Sequence, residues 1–353
     1  MEIRTSRIAT PSSKPQDAEL GFGKFFTDHA FTCRWSEQKG WHDAQVAPRA
    51  PVPMDLGACV LHYGQALFEG MKAFRGQDGQ VRILHLPFLD NRMRNGAARL
   101  CLPQPPDEVF MEGVKAVVNA DRDWIPHTRG CSLYIRPTLI GTESFLGIRP
   151  AAEALFFVIL SPVGSYYAKG LAPVRIWVED AMVRAAPGGL GATKAGANYA
   201  ASMAAGLDAK HKGYDQVLWL DALEHEWVEE VGTMNVFFQV GDEVVTPPLA
   251  GTILGGSTRK AVIEILRHWG VKVSERRISM TEISEAAASG ALKESFGTGT
   301  AAVISPVGEY TWKGRDIKVG NGDTGPLAKR LQSAIQAIQY GESTDELGWS
   351  TIV

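Results

Sequence analysis

Cysteine is scarce in this sequence, and the few cysteines present are far apart. There are 4 among 353 residues, at Cys33, Cys59, Cys101 and Cys131. No two of them form a C-x-x-C pair, which argues against a structural zinc site and against a dithiol redox centre, so we expect no bound metal. Widely spaced cysteines also indicate a reducing compartment, and we therefore expect a cytoplasmic protein.

The sequence has neither an excess of basic charge nor a long apolar run. It carries 36 Lys and Arg against 39 Asp and Glu, which gives a net charge of -3 at pH 7. This balance does not favour nucleic acid as a partner, and no apolar stretch is long enough to span a membrane. Residues 1–18 also lack the apolar core of a secretory signal, so we predict a disordered N-terminal tail there.

The length of the chain predicts two domains, and a change in composition indicates where they meet. The first part contains helical patterns over 86–100 and 106–118 and an apolar strand over 154–160. The stretch 161–170 is then rich in Pro, Gly, Ser and Tyr, which is typical of a linker. The predicted segments after the tail are an N-terminal domain over 19–163, a linker over 164–173 and a C-terminal domain over 174–353.

One lysine stands in a segment of small residues. Lys194 lies in the run Ala186-Pro-Gly-Gly-Leu-Gly-Ala-Thr-Lys-Ala-Gly-Ala-Asn-Tyr199. A lysine without bulky or acidic neighbours can approach a flat cofactor closely, and desolvation would lower its pKa toward the nucleophilic, neutral form. Such a stretch is also typical of a solvated turn with an ordinary surface lysine, so the rest of the chain must decide between the two interpretations.

Two glycine-rich loops later in the chain have the composition of anion-binding sites. Leu254-Gly-Gly-Ser-Thr258 leads directly into a helical pattern that Gly270 ends, and the amide N–H groups of a helix N-terminus attract anions. Phe296-Gly-Thr-Gly-Thr-Ala301 lies between two strand-like runs and can form a second backbone nest. A plain Ser/Thr helix cap and a tight turn are the alternative interpretations.

Together these features are the parts that bind a phosphorylated pyridine aldehyde, pyridoxal 5′-phosphate (PLP). A lysine forms the imine with the aldehyde, a helix N-terminus binds the phosphate, and a carboxylate keeps the pyridine nitrogen protonated. Two adjacent acids, Glu229 and Glu230, precede the run Val-Gly-Thr-Met-Asn and are the candidates for that carboxylate.

Several longer motifs resemble those of the branched-chain amino acid aminotransferases, which are PLP-dependent enzymes of class IV. The resemblance extends from Phe22 to the end of the chain, with the motifs in the family's order. These motifs are Leu61-His-Tyr-Gly-Gln-Ala-Leu-Phe-Glu-Gly-Met-Lys-Ala-Phe74, Ser132-Leu-Tyr-Ile-Arg-Pro137, Lys194-Ala-Gly-Ala-Asn-Tyr199, Glu230-Val-Gly-Thr-Met-Asn235 and Phe296-Gly-Thr-Gly-Thr-Ala301.

This resemblance implies both a fold and a reaction. The expected fold is α+β, with two α/β domains in the D-amino acid aminotransferase-like architecture called fold type IV. The expected reaction is reversible transfer of the amino group of L-leucine, L-isoleucine or L-valine to 2-oxoglutarate. The expected partners are therefore amino acids and 2-oxo acids, together with a second copy of the chain in a homodimer with a shared active site.

The resemblance also assigns cofactor contacts, residue by residue. Lys194 matches the Schiff-base lysine, Glu230 the carboxylate facing the pyridine nitrogen, and Tyr199 the phenol that bonds the ring oxygen. Arg92, within Asp90-Asn-Arg-Met, matches an arginine on the phosphate. The remaining positions that match cofactor contacts are Thr233, Leu254, Gly256, Ser257, Thr258 and Thr300.

Substrate contacts follow in the same way. The amides of Thr300 and Ala301 match the turn that receives the α-carboxylate, and Arg136 is expected to receive the distal carboxylate of glutamate. Ile148 matches an aliphatic residue that the partner subunit contributes to the pocket. The matching aromatic wall positions are Tyr63, Phe68, Tyr134 and Tyr166.

Some positions depart from the family pattern, and other functions share the fold. Ala302 and Ser305 stand where animal members carry a Cys-x-x-Cys pair, which excludes redox control through that pair. The contacts of Ser257 and Thr258 stay open because some members have aliphatic residues there. D-amino acid aminotransferases, an aminodeoxychorismate lyase and an inactive PLP-binding protein are the alternative functions. The motifs Glu-Gly-Met-Lys-Ala-Phe and Ser-Leu-Tyr-Ile-Arg-Pro favour the branched-chain enzyme.

Overall fold

The computed structural model describes residues 1–164 and 171–353, which fall into two units. The first unit consists of Met1–Tyr166, Thr193–Ala197 and Ala337–Val353, and the second of Tyr167–Ala192 and Asn198–Gln336. The α-helices in the described residues are α1 (Cys59–Tyr63), α2 (Leu86–Arg99), α3 (Asp107–Ala120), α4 (Gly196–His211), α5 (Ser257–His268), α6 (Met280–Ala288) and α7 (Pro326–Gln339).

The first unit is built on a nine-stranded sheet with the order β1-β3-β2-β8-β7-β5-β6-β18, in which β4 pairs with β7 off this path. Only β1 runs parallel to its neighbour among these described strands. The strands are β1 (Arg4–Thr5), β2 (His29–Ser36), β3 (Gly40–Pro48), β4 (Ala66–Phe68), β5 (Met71–Arg75), β6 (Val81–Leu84), β7 (Ser132–Gly141), β8 (Glu153–Val163) and β18 (Ser350–Ile352).

The core of the first unit lies where α2 and α3 cover one face of this sheet. Apolar residues of α3 recur at helical spacing, so one side of the helix is buried against the strands. Phe31 of β2 packs against Gly113, where a Cβ atom would lie only 2.5 Å from the Phe31 ring. Glycine at this position therefore lets α3 approach the sheet closely.

The second unit contains another nine-stranded sheet, with the order β11-β10-β9-β16-β15-β12-β13-β14 and β17 paired with β16. This sheet is mixed, because β9 runs parallel to both β10 and β16, and β13 runs parallel to β14. The strands are β9 (Val174–Glu179), β10 (Gln216–Leu220), β11 (Val228–Val231), β12 (Asn235–Val240), β13 (Glu243–Thr246), β14 (Lys272–Glu275), β15 (Leu292–Gly299), β16 (Val303–Trp312) and β17 (Arg315–Lys318).

The division of the chain differs from the predicted one, because distant segments join the first unit. Residues 193–197 belong to it through an isolated bridge between Ala195 and Leu67, and residues 337–353 belong to it through β18, which pairs with β6. Such pairings between distant segments have no signal in local composition. No helix among the described residues is long and apolar enough to cross a membrane.

The N-terminal segment also departs from its prediction as a disordered tail. Residues 4–5 form β1, and the Ser6 N–H donates to the Val46 carbonyl oxygen at 2.9 Å. The Ile8 N–H donates to His29 Nε2 at 3.0 Å, and the Ser12 N–H donates to Asp28 Oδ1 at 3.1 Å. Backbone and side-chain acceptors of the first unit thus order a segment that has no hydrophobic pattern of its own.

Candidate active site

Lys194 belongs to the first unit and is held there by its backbone. Its carbonyl oxygen accepts a hydrogen bond from the Phe68 N–H at 3.2 Å, and the Nζ atom lies 5.1 Å from the centre of the Phe68 ring. Burial lowers the pKa of Lys194 to about 8, and the nearby Arg92 guanidinium also lowers it. The amine is therefore partly neutral and nucleophilic near physiological pH, as the sequence predicts.

Arg92 projects from α2 and is paired with Glu69. The Arg92 Nε atom donates to Oε1 at 2.7 Å and Nη2 donates to Oε2 at 2.6 Å, while the Glu69 side chain is only 1% exposed. A bidentate pair of this kind fixes the plane of the guanidinium. The Nη1 atom then lies on the side of the guanidinium that faces away from the Glu69 carboxylate. Glu69 lies within the Phe-Glu-Gly part of the first family motif, but the motif alone does not indicate that Glu69 pairs with Arg92.

Arg136 and Tyr134 lie side by side on β7. The Arg136 Nη2 atom donates to the Tyr134 hydroxyl at 2.9 Å, and its guanidinium carbon lies 4.6 Å from the centre of the Phe68 ring. Gly70 makes room for this arrangement, because a Cβ there would overlap the Tyr134 hydroxyl. The buried Arg136 Nε has no hydrogen-bond partner among the described residues. The first unit therefore brings together Lys194, Phe68, Tyr134, Arg136 and Arg92.

Two predicted pocket residues of the first unit lie at its surface. Ile148 is 92% exposed and Tyr63 is 42% exposed, and the Tyr63 hydroxyl donates to the Leu146 carbonyl oxygen. Tyr166 falls outside the described residues.

Glu230 lies in the second unit and is buried in an ion pair. Arg184 donates to both of its carboxylate oxygens, at 2.9 and 2.8 Å, and the Leu254 N–H donates to Oε1 at 2.8 Å. Glu229 is also buried, but its Oε2 has no hydrogen-bond partner in the described chain, and burial raises its pKa. Arg184 was missed from the sequence because it is a lone charge with no recognisable motif around it.

Asn235 lies beside two segments of the second unit that contain predicted cofactor residues, the loop before α5 and the end of β15. Its Nδ2 donates to the Leu254 carbonyl oxygen at 2.8 Å, and it pairs across the sheet with Thr298. A Cβ at Gly256 would overlap Asn235 Oδ1, so the chain passes closest to Asn235 where only glycine fits. The loop before α5 and the turn after β15 are therefore held near each other through one amide side chain.

The remaining predicted cofactor residues lie in this second unit. Gly256 is the N-cap of α5 without a side-chain cap, so the helix begins at Ser257 with Thr258 behind it. Thr233 lies in the tight turn between β11 and β12, and Thr300 and Ala301 lie in the turn between β15 and β16. Tyr199 lies in the first turn of α4, which begins at Gly196.

Comparison with known proteins identifies the family. The model of amino-transferase class IV matches residues 66–310. Branched-chain-amino-acid aminotransferase 2 of Bacillus subtilis (strain 168) is 48% identical over 351 residues, which are 99% of this chain and 97% of that protein. Branched-chain-amino-acid transaminase 1 of the same strain is 47% identical over 352 residues, 99% of each chain. The chain belongs to the branched-chain-amino-acid aminotransferases of class IV.

Solved structures of branched-chain amino acid aminotransferases share the fold. The T.th. enzyme with pyridoxamine 5′-phosphate is 27% identical with a TM-score of 0.75, covering 90% of this chain and 97% of that one. The enzyme of Escherichia coli is 26% identical with a TM-score of 0.73, covering 92% and 98%. The predicted α+β, fold type IV architecture is thus confirmed.

As a class IV aminotransferase the enzyme uses PLP, and its residues fit that cofactor. The Thr298 hydroxyl is buried without a hydrogen-bond partner among the described residues, beside the turn that contains Thr300. The N-terminus of α5, which follows Gly256, has no side-chain cap on its first amides. Both are features of a phosphate site, and the first unit contains the buried Lys194 amine. Within the described residues, no group of three or more His, Cys, Asp or Glu is placed to hold a metal ion.

Proposed function

We propose that this aminotransferase moves the amino group of L-leucine, L-isoleucine or L-valine reversibly to 2-oxoglutarate, giving branched 2-oxo acids and L-glutamate. The observation that carries the proposal is the buried Lys194 amine, which lies 5.1 Å from the centre of the Phe68 ring. Burial lowers its pKa to about 8, and the Arg92 guanidinium acts in the same direction. When bound, PLP supplies an electron sink for negative charge at the substrate Cα. Lys194 Nζ would take the proton from the substrate Cα and deliver it to the C4′ carbon of the cofactor, and the reverse transfer would serve the reverse reaction.

The cofactor contacts are assigned residue by residue. Arg92 would contact the phosphate through the Nη1 edge of its guanidinium, and the first amides of α5, at Ser257 and Thr258, would contact it together with Thr300. Glu230 would accept a hydrogen bond from the protonated pyridine nitrogen, because its carboxylate is already held in one orientation. Tyr199 would bond the ring oxygen. The other residues assigned to the cofactor site are Thr233, Leu254 and Gly256.

The substrate pocket must accept both an aliphatic side chain and a carboxylate. Phe68 and Tyr134 offer aromatic surface to leucine, while Arg136, stacked on both rings, offers a guanidinium to the distal carboxylate of glutamate. The amides of Thr300 and Ala301 are assigned to the α-carboxylate. The other wall positions assigned from the family pattern are Tyr63 and Tyr166.

We also propose a homodimer in which Ile148 enters the partner's active site. Ile148 is 92% exposed and Leu146 is 66% exposed in one short segment, and Leu56 nearby in the first unit is 86% exposed. Apolar side chains grouped this way are typical of surfaces that another chain covers. None of the four cysteines, all of which lie in the described residues, forms a disulfide, and this supports a cytoplasmic location.

A coupled assay of the purified enzyme tests the reaction. With 2-oxoglutarate as acceptor, a panel of L- and D-amino acids should give turnover with L-leucine, L-isoleucine and L-valine and none with D-alanine. Turnover with D-amino acids, or none with any branched-chain L-amino acid, would contradict the proposal. Light scattering of the same sample should give twice the mass of one chain, and the variant Ile148→Asp should weaken both dimer and activity.

A further inference from the structure

Arg184 contacts two parts of the second unit that matter for the cofactor. Its Nε and Nη2 atoms donate to Glu230, and Nη2 also donates to the Gly191 carbonyl oxygen at 2.9 Å. Gly191 precedes Lys194 by three residues along the chain. One guanidinium therefore fixes both the carboxylate and the loop that leads to the lysine.

Burial determines what the loss of this contact would do. The side chains of Arg184 and Glu230 are only 8% and 4% exposed. Removing one partner of such a pair leaves an uncompensated buried charge, which the protein avoids by taking up or losing a proton. Without Arg184, the Glu230 carboxyl would therefore be protonated at a higher pH than in the intact enzyme.

The neighbouring Glu229 shows how this environment affects a carboxyl without such an ion pair. It is 6% exposed and next to Glu230 on β11, yet its Oε2 lacks a hydrogen-bond partner in the part of the chain that the structure describes. Burial raises the pKa of Glu229, and the negative charge of Glu230 contributes in the same direction. Thr252 hydrogen-bonds Glu229, and the charge of Arg184 lowers the pKa of Glu229 as well, but the donation of Arg184 to both carboxylate oxygens is made to Glu230.

We propose that Arg184 is a positioning residue, which keeps Glu230 ionised and oriented for the pyridine nitrogen of PLP and holds the loop before Lys194. It acts through Glu230 and Gly191. This inference rests on the proposed function, because Glu230 is assigned to the pyridine nitrogen there.

The test is the affinity of the enzyme for PLP as a function of pH in three variants. Arg184→Gln should weaken PLP binding at least about tenfold at pH 7, since it removes a bidentate charged contact from Glu230. The loss should shrink as the pH rises, because Glu230 then ionises without help. Arg184→Lys should restore part of the affinity, since it returns the charge but not the planar fork. Arg175→Gln, which removes a 52% exposed arginine paired with Glu309, is the matched control and should bind PLP normally.

A role limited to packing predicts a different result. In that case Arg184→Gln would weaken PLP binding equally at every pH. Adding Arg184→Gln to Glu230→Gln would also reduce the affinity for PLP by the same factor as adding it to the unaltered enzyme. Either result, or unchanged affinity in Arg184→Gln, would overturn the inference. Thermal melts establish which variants are folded. If Arg184→Gln is not folded, the same pH comparison is made with Arg184→Lys. Transamination of L-leucine by the unaltered enzyme tests the proposed function separately.

Discussion

Two lysines of the first unit, Lys194 and Lys72, have a pKa that burial lowers to about 8. The groups around them differ. Arg92, Glu69, Tyr134 and Arg136 act on Lys194, whereas the Cys131 thiol acts on Lys72. At the scale of a single residue, a low pKa therefore does not identify the catalytic amine, and the arginines that accompany Lys194 distinguish it.

The first prediction at this scale concerns the pH dependence of Lys194. One unit below its pKa of about 8, roughly a tenth of the amine is neutral, so covalent attachment of PLP to the cofactor-free enzyme should quicken from pH 7 to pH 8 and level off above.

The folded state binds fewer protons than the unfolded chain between about pH 8 and the ordinary lysine pKa of 10.5, so this group makes folding more favourable as the pH rises there.

Stopped-flow absorbance measures that attachment, and mass spectrometry after borohydride reduction locates it. Lys194→Ala should lose the covalent cofactor and nearly all turnover, while Lys72→Met should keep covalent attachment. Attachment to Lys72 in the unaltered enzyme would show that the wrong lysine was assigned.

The adjacent glutamates give a second prediction. Glu230→Gln should still bind PLP, though more weakly than the unaltered enzyme, and should slow both half-reactions at least about a hundredfold, because a neutral amide stabilises the protonated pyridine nitrogen poorly. Glu229→Gln should be close to neutral, since burial raises the pKa of Glu229 toward a protonated, uncharged form that glutamine imitates. Single-turnover kinetics of the two variants decide which glutamate contacts the pyridine nitrogen. A larger loss in Glu229→Gln than in Glu230→Gln would assign that contact to Glu229.

Arg136 gives a third prediction, about how one pocket accepts unlike substrates. A charged, bidentate contact with the distal carboxylate contributes about 1.5–3 kcal/mol, so Arg136→Met should slow the glutamate half-reaction roughly ten- to a hundredfold. The leucine half-reaction should change little, because leucine is bound by apolar contact with Phe68. Arg129→Met, at an arginine that is 53% exposed, is the control. An equal loss with both substrates would give Arg136 a structural role or a role at the α-carboxylate.

At the scale of helices and strands, the sequence predicts best what depends on local pattern. The 3.6-residue period places α2, α3 and α5 within about two residues of where the structure has them. The bridge of Ala195 to β4 and the strands β1 and β18 were not predicted, because each is ordered by a partner far away in sequence. The partners of Glu69 and Glu230 were missed for the same reason.

The loop before α5 provides a prediction at this scale. Gly256→Ala would place a Cβ against Asn235 Oδ1, whose amide is held by the Leu254 carbonyl oxygen, so the loop must shift. We expect PLP binding to weaken about tenfold, since the first amides of α5 move from the phosphate. At Gly255 the nearest atom to a new Cβ is Leu249 Cδ1 at 3.4 Å, an ordinary contact, so Gly255→Ala is the matched control. Fluorescence titration with PLP compares them, and equal affinities would show that the loop tolerates the shift.

At the scale of the whole chain, both ends complete the sheet of the first unit. β1 lies at one edge of the sheet order and β18 at the other, and the Arg122 Nη1 atom donates to the Val353 oxygen at 2.6 Å. Edges covered in this way are protected from pairing with another chain. The C-terminal segment also contacts the beginning of α2. The N–H of His85, the residue before α2, donates to the Trp349 carbonyl oxygen at 2.7 Å.

The last prediction follows from this connection. Trp349 is 4% exposed and its ring lies 4.9 Å from that of His85, which precedes α2 in a left-handed conformation. Trp349→Ala should lower the free energy of unfolding by about 3–5 kcal/mol, as expected for loss of a buried aromatic side chain. Leu347→Ala, in the same segment but 38% exposed, should cost less than about 1 kcal/mol. Urea denaturation measures both. Because α2 carries Arg92, Trp349→Ala should also weaken PLP binding in enzyme that is still folded, and normal affinity there would show that the C-terminal segment stabilises the sheet without positioning the helix.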